Sequence, residues 1–66
     1  MKIELNGADH ELDSSVPVMT LMQQLGLAHR KVAVAVNRQV IPMNLWAQHL
    51  VQAGDRVEVI QAISGG

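Results

Sequence analysis

Between Lys2 and Asn6, polar and apolar residues alternate: Lys2, Glu4 and Asn6 fall on one side, Ile3 and Leu5 on the other. A period of two marks a strand with one buried face. Asn6-Gly7 follows and predicts a tight hairpin, because both central residues of a type I′ turn take positive φ. The return strand is expected over residues 8–12. Asp13-Ser14-Ser15 then breaks the alternation, and Ser14 and Ser15 suit turn or capping positions. Apolar residues next recur at Val18, Leu21, Met22 and Leu25, which is helical spacing. Pro17 fits a first helical turn, where its missing N–H is not needed, and Gly26 fits the residue just past the end. A helix is expected over 17–25.

Val32, Ala33, Val34, Ala35 and Val36 form an unbroken apolar run, which predicts a strand buried on both faces or nearly so. Asn37-Arg38 reads as a turn. Val40-Ile41 reads as a short edge strand stopped by Pro42. Asn44 is placed to cap a short helical turn through Leu45, Trp46 and Gln48. Gly54-Asp55 is a turn, the last strand covers 56–63, and 64–66 is a tail. Strands on both sides of one helix, sharing one small core, specify an α+β domain with the helix packed across a mixed sheet of four to five strands. That is the outline of a β-grasp fold. Strand parity and helix face assign Ile3, Leu5, Leu21, Leu25, Val34, Val57 and Val59 to the core.

At 66 residues the chain is one domain with room for one core and no deep cofactor pocket. Apolar residues make up 48% and charged residues 17%, the balance of a folded chain rather than a disordered one. Net charge is −1 and the basic residues are scattered, so nothing here favours nucleic acid or an anionic membrane as a partner. The absence of cysteine excludes disulfides, thiolate metal sites and cysteine nucleophiles. With no signal peptide and no membrane-length apolar run, a cytoplasmic protein is expected.

The search for catalytic chemistry returns little. His10, His29 and His49 lack the paired spacing of a zinc site and read as solvated surface histidines. No serine lies in a nucleophile elbow, and Gly7, Gly26 and Gly54 stand alone at turns rather than in a phosphate-binding loop. No metal and no resident cofactor are expected, and the chain does not read as an enzyme. Met22 reads as core filler, and Trp46, the one aromatic residue, as a plug in the core.

The C-terminus is different, because Ser64-Gly65-Gly66 directly follows a strand. Glycine has no Cβ, so a Gly-Gly tail is thin and adopts φ values closed to other residues. Such a tail can thread a narrow channel in another protein and present the Gly66 carboxylate without a side-chain clash, with Gly65 and Ser64 serving as a slim lead. A free carboxylate is inert, however, and this chain has no parts with which to activate it. An ATP-using partner is therefore implied.

Several segments in order carry a family resemblance. They begin with Asn6-Gly7 after the first strand and continue with Leu21-Met22-Gln23-Gln24-Leu25-Gly26-Leu27. Val34-Ala35-Val36-Asn37 and Val40-Ile41-Pro42 follow, with Trp46 four residues on. Gly54-Asp55-Arg56-Val57-Glu58-Val59-Ile60, Ala62-Ile63 and the closing Gly65-Gly66 complete the set. Together these segments resemble the small ubiquitin-like sulfur carriers of thiamine biosynthesis over nearly the whole chain. Pro17 departs from the capping residue, such as Thr, usual before that family's helix.

The resemblance implies a β-grasp domain over 1–63 and a diglycine tail over 64–66. It implies that an ATP-dependent activating enzyme, similar to those that activate ubiquitin, adenylates the Gly66 carboxylate. Sulfur from a cysteine desulfurase persulfide would then give a thiocarboxylate, which would supply thiazole synthase. In the last strand, Ile60 and Ala62 share a side with Arg56 and Glu58, opposite Val57 and Val59. That pair is expected on the uncovered sheet face near the tail, as a docking patch for the activating enzyme. The alternatives are the related sulfur carrier of molybdopterin synthesis, a protein modifier joined to lysines through its tail, and a non-catalytic interaction module.

Overall fold

A computed structural model describes residues 1–61. The elements run in the order β1 (Lys2–Leu5), β2 (Ala8–Glu11), β3 (Val16–Pro17), α1 (Val18–Gln24), β4 (Val32–Val36), β5 (Gln39–Ile41), a 3-10 turn (Met43–Leu45), β6 (Leu50–Val51) and β7 (Arg56–Gln61). Five strands form one mixed sheet in the order β2-β1-β7-β4-β5, and β3 pairs with β6 in a separate two-stranded ribbon. The pairing of β1 with β7 is parallel, and the remaining pairings are antiparallel. The N-terminal and C-terminal strands thus lie side by side, with the helix over one face, as the β-grasp outline requires.

The two hairpins of the main sheet are local decisions of the chain. Asn6 and Gly7 sit at φ 50° and 84°, as the Asn-Gly signal predicts. Asn37 and Arg38 do the same at φ 52° and 71°, although Arg38 has a Cβ to accommodate there. The helix also ends as read. With Leu25 as the C-cap, the Gly26 N–H donates to the Gln23 carbonyl at 3.1 Å and the Leu27 N–H to the Met22 carbonyl at 2.8 Å. Gly26 at φ 74° makes this Schellman closure possible.

The helix start differs from the expectation. Pro17 is not inside the first turn; it is the N-cap residue, extended at ψ 154°, and it pairs with Leu50 in the ribbon. The reason lies in the segment that packs against it. The Val18 N–H donates to the His49 carbonyl at 2.8 Å and the Met19 N–H to the Trp46 carbonyl at 3.0 Å. Loop carbonyls thus satisfy the first helical donors, and no side-chain cap is present. Ser15, read as a turn or capping residue, instead donates its hydroxyl to the Val51 carbonyl at 2.6 Å, tying the chain before the helix to β6. Asn44 does not cap the short turn either, since Pro42 holds that position.

The core contains Ile3, Leu21, Val34 and Val57 from the expected set, together with Leu12, Val18, Met22, Val36, Ile41, Trp46 and Val51. Leu5, Leu25 and Val59 prove only partly buried, packed against its margin, and Leu25 lies past the last helical residue as the C-cap of α1. The apolar run of β4 is not buried on both faces. Val34 and Val36 are buried and Val32 half-buried, while Ala33 is exposed and Ala35 half-exposed on the other side. Nothing among the described residues covers that second face, and alanine there is small enough to sit in water at little cost.

Candidate functional site: the outer sheet face and the strand before the tail

β7 leads to the predicted functional end of the chain and lies at the centre of the sheet, between β1 and β4. Two asparagines from the two hairpin turns hold it. Asn37 Oδ1 accepts the Arg56 N–H at 2.9 Å on the β4 side. Asn6 Oδ1 accepts the Val59 N–H at 2.8 Å on the β1 side. Each turn therefore uses its left-handed residue twice, once to reverse the chain and once to pair a backbone donor of β7. The entry to β7 is fixed further by Asp55, whose carboxylate accepts from Asn37 Nδ2 at 3.1 Å and from the Gln52 N–H at 2.8 Å. The sequence signalled both asparagines as turn residues only; their second role depends on contacts 19 and 53 residues away.

Strand parity sends Val57 and Val59 towards the helix and Arg56, Glu58 and Ile60 to the outer face. Ile60 is 64% exposed, as the docking reading requires. Its surroundings follow from the register. Ile60 lies opposite Ala33 and Glu58 opposite Ala35, and Ala35 in turn lies opposite Val40, which is 67% exposed. The outer face therefore divides in two. Val40, Ala35, Ala33 and Ile60 make an apolar half across β5, β4 and β7. Glu58, Arg56, Glu4 and the cross-strand partners of β1 and β2 make a charged half. Arg56 Nε donates to Glu4 Oε2 at 2.7 Å, and Lys2 Nζ lies 3.7 Å from Asp9 Oδ2. These pairs are solvent-exposed and add little stability, so they order the charged half more than they hold the fold.

The apolar half is wider than sequence reading found. Ile60 was visible from parity on one strand. Val40 and the two alanines come beside it only through the β4–β7 and β4–β5 registers. Ala62, Ser64, Gly65 and Gly66 lie outside the described residues. Among the described residues no group of His, Cys, Asp or Glu comes together to hold a metal ion, and no helix is long and apolar enough to cross a membrane.

Comparison with known proteins converges on one family. The sequence model of the ThiS family matches residues 3–66. The sulfur carrier protein ThiS of Escherichia coli is 36% identical over 66 residues, covering the whole of both chains. A thiazole synthase of Paramagnetospirillum magneticum is 38% identical over the same 66 residues, but the chain spans only 20% of its length. Among solved structures, the crystal structure of the thiamine biosynthesis protein ThiS from Geobacter metallireducens superposes with a TM-score of 0.88, at 29% identity and full coverage of both chains. A family match across nearly every residue, a full-length relative and a full-length superposition agree: the chain belongs to the ThiS family.

Proposed function

We propose that this protein is a sulfur carrier for thiazole formation in thiamine biosynthesis, loaded at the carboxylate of Gly66. The observation that carries the reading is end-to-end correspondence with a sulfur carrier, in a chain whose last two residues are glycine. The chemistry proceeds in a partner's active site. The Gly66 carboxylate oxygen attacks the α-phosphate of ATP, pyrophosphate leaves, and an acyl adenylate forms. A persulfide sulfur, supplied through a cysteine desulfurase, then attacks the carbonyl carbon and AMP leaves. A thiol cleaves the resulting S–S bond, leaving a thiocarboxylate on Gly66. The carrier contains no cysteine, so the sulfur must be brought to it.

Each feature of the described domain has a place in this scheme. β7 leads the chain towards its Ser64-Gly65-Gly66 tail, the segment this reading sends into the enzyme. The apolar half of the outer face supplies the surface on which the activating enzyme seats the domain. Thiazole synthase is the acceptor, a reading favoured by the domain's kinship with part of a thiazole synthase chain.

Two measurements test this. The intact mass of protein isolated from its native host should show a fraction heavier by about 16 Da, the gain when sulfur replaces oxygen. The addition must map to the C-terminal peptide, since methionine oxidation adds nearly the same mass elsewhere. Absence of the adduct under thiamine starvation would refute the carrier reading. Separately, Ile60→Asp should weaken binding to the activating enzyme at least about tenfold, the effect of burying an unpaired charge in an apolar contact. The fold should be unaffected, because Ile60 is exposed. Unchanged affinity would remove the outer face from the docking assignment.

A further inference from the structure

The edge of β7 that faces β1 is only half used. The parallel pairing with β1 covers Glu4 with Arg56 and Leu5 with Val57, and there β1 turns away into the Asn6-Gly7 hairpin. The Asn6 N–H still donates to the Val57 carbonyl at 2.9 Å. One step further, the Asn6 side chain replaces a backbone acceptor and takes the Val59 N–H. Beyond that point no described residue pairs with β7 on this side. Alternation along the strand sends the N–H and C=O groups of Glu58 and Ile60 to β4, where the ladder runs on to Val32 opposite Gln61. The Val59 carbonyl and both backbone groups of Gln61 therefore face the space that β1 has left.

We propose that this open half-edge is a strand-addition site, filled by an extended backbone segment of thiazole synthase when that enzyme takes the tail. An exposed row of donors and acceptors is a template for a further strand. Most sheet edges are protected by a charge, a proline or a bulge, whereas this one borders Val59, Ile60 and Gln61 and carries none of these. It also lies a few residues before the Ser64-Gly65-Gly66 tail that must enter the enzyme. A strand added here would hold the exit direction of the tail through main-chain bonds. The Asn6 side chain marks where the internal ladder ends and the added one begins. The inference rests on the carrier reading above for the identity of the occupant.

The test uses the full chain and purified thiazole synthase. In the free carrier the Gln61 amide should exchange with solvent rapidly, and in the saturated complex it should become strongly protected. Gln61→Pro removes that donor but no bond to β4, because the Gln61 N–H points away from β4. This variant should melt like the parent yet bind the synthase about tenfold more weakly, while Gln61→Ala, which keeps the N–H, should bind within about twofold. A saturated complex in which Gln61 still exchanges freely would overturn the proposal, as would parental affinity in Gln61→Pro. Protection that appears with carrier concentration alone, alongside dimerisation in sedimentation, would assign the edge to a second copy and likewise overturn it. Failure of the carrier to bind the synthase at all would instead overturn the functional reading on which the proposal stands.

Discussion

Removing Gly66, or adding one alanine after it, is expected to abolish ATP–pyrophosphate exchange by the purified activating enzyme, with the circular dichroism spectrum and melting temperature unchanged. The reacting atom is a carboxylate oxygen that must approach the α-phosphate in line, and a misplacement of about 1 Å can lower a rate about 100-fold. One residue is about 3.5 Å of extended chain, well beyond that tolerance. A channel shaped for residues without Cβ also rejects a methyl group at its narrowest point. Ordering such a tail has an entropic cost of about 1–2 kcal/mol per residue, which contacts along the partner's channel must offset. Every core residue named above lies well before Gly66, so neither change touches them. Full exchange with the extended tail would show that the Gly66 carboxylate is not the reacting group.

Trp46→Ala is expected to remove about a third or more of the protein's stability and to lower its urea midpoint accordingly. Trp46 is 1% exposed and the largest buried side chain. Truncating a buried tryptophan typically costs about 3–5 kcal/mol. A 66-residue domain has in total about 3–10 kcal/mol of stability. The residue is also a junction. Its Nε1–H donates to the Ile41 carbonyl at the end of β5 at 2.9 Å, and its own carbonyl accepts the Met19 N–H at the start of α1 at 3.0 Å. Trp46→Phe should restore most of the volume but lose the indole bond to the Ile41 carbonyl, which still faces Val34 in the β4–β5 ladder, a smaller loss of about 0.5–1.5 kcal/mol. Urea unfolding followed by circular dichroism separates the three proteins, and a Trp46→Ala midpoint close to the parent's would show that the ring is not the plug of the core.

Much of the fold was legible locally. The Asn6-Gly7 turn, the alternation of β1, the helical spacing of Val18, Leu21 and Met22 and the Gly26 closure all arise from neighbours in sequence, where backbone sterics and side-chain period act without help from the rest of the chain. The reading failed where a distant segment supplied the partner. Pro17 suits a first helical turn in isolation and becomes an N-cap because residues 46–49 offer carbonyls to Val18 and Met19. The β3–β6 ribbon is two residues on each strand, too short to leave a periodic trace. In β4, alternating valine and alanine concealed a buried face and an exposed one, since both residue types count as apolar.

The same division runs through the site. The two closing glycines, the lack of cysteine and the outward parity of Ile60 were determined by the sequence alone, because they depend on residue identity and a period of two. The tertiary structure alone decided that Val40, Ala33 and Ala35 join Ile60 in one apolar surface, that two turn asparagines clamp β7, and that β1 leaves half of the edge of β7 open. Those are matters of register and of where a neighbouring strand stops. Register is set by how the inner faces of all five strands pack together against one short helix, and no local run of residues contains that information.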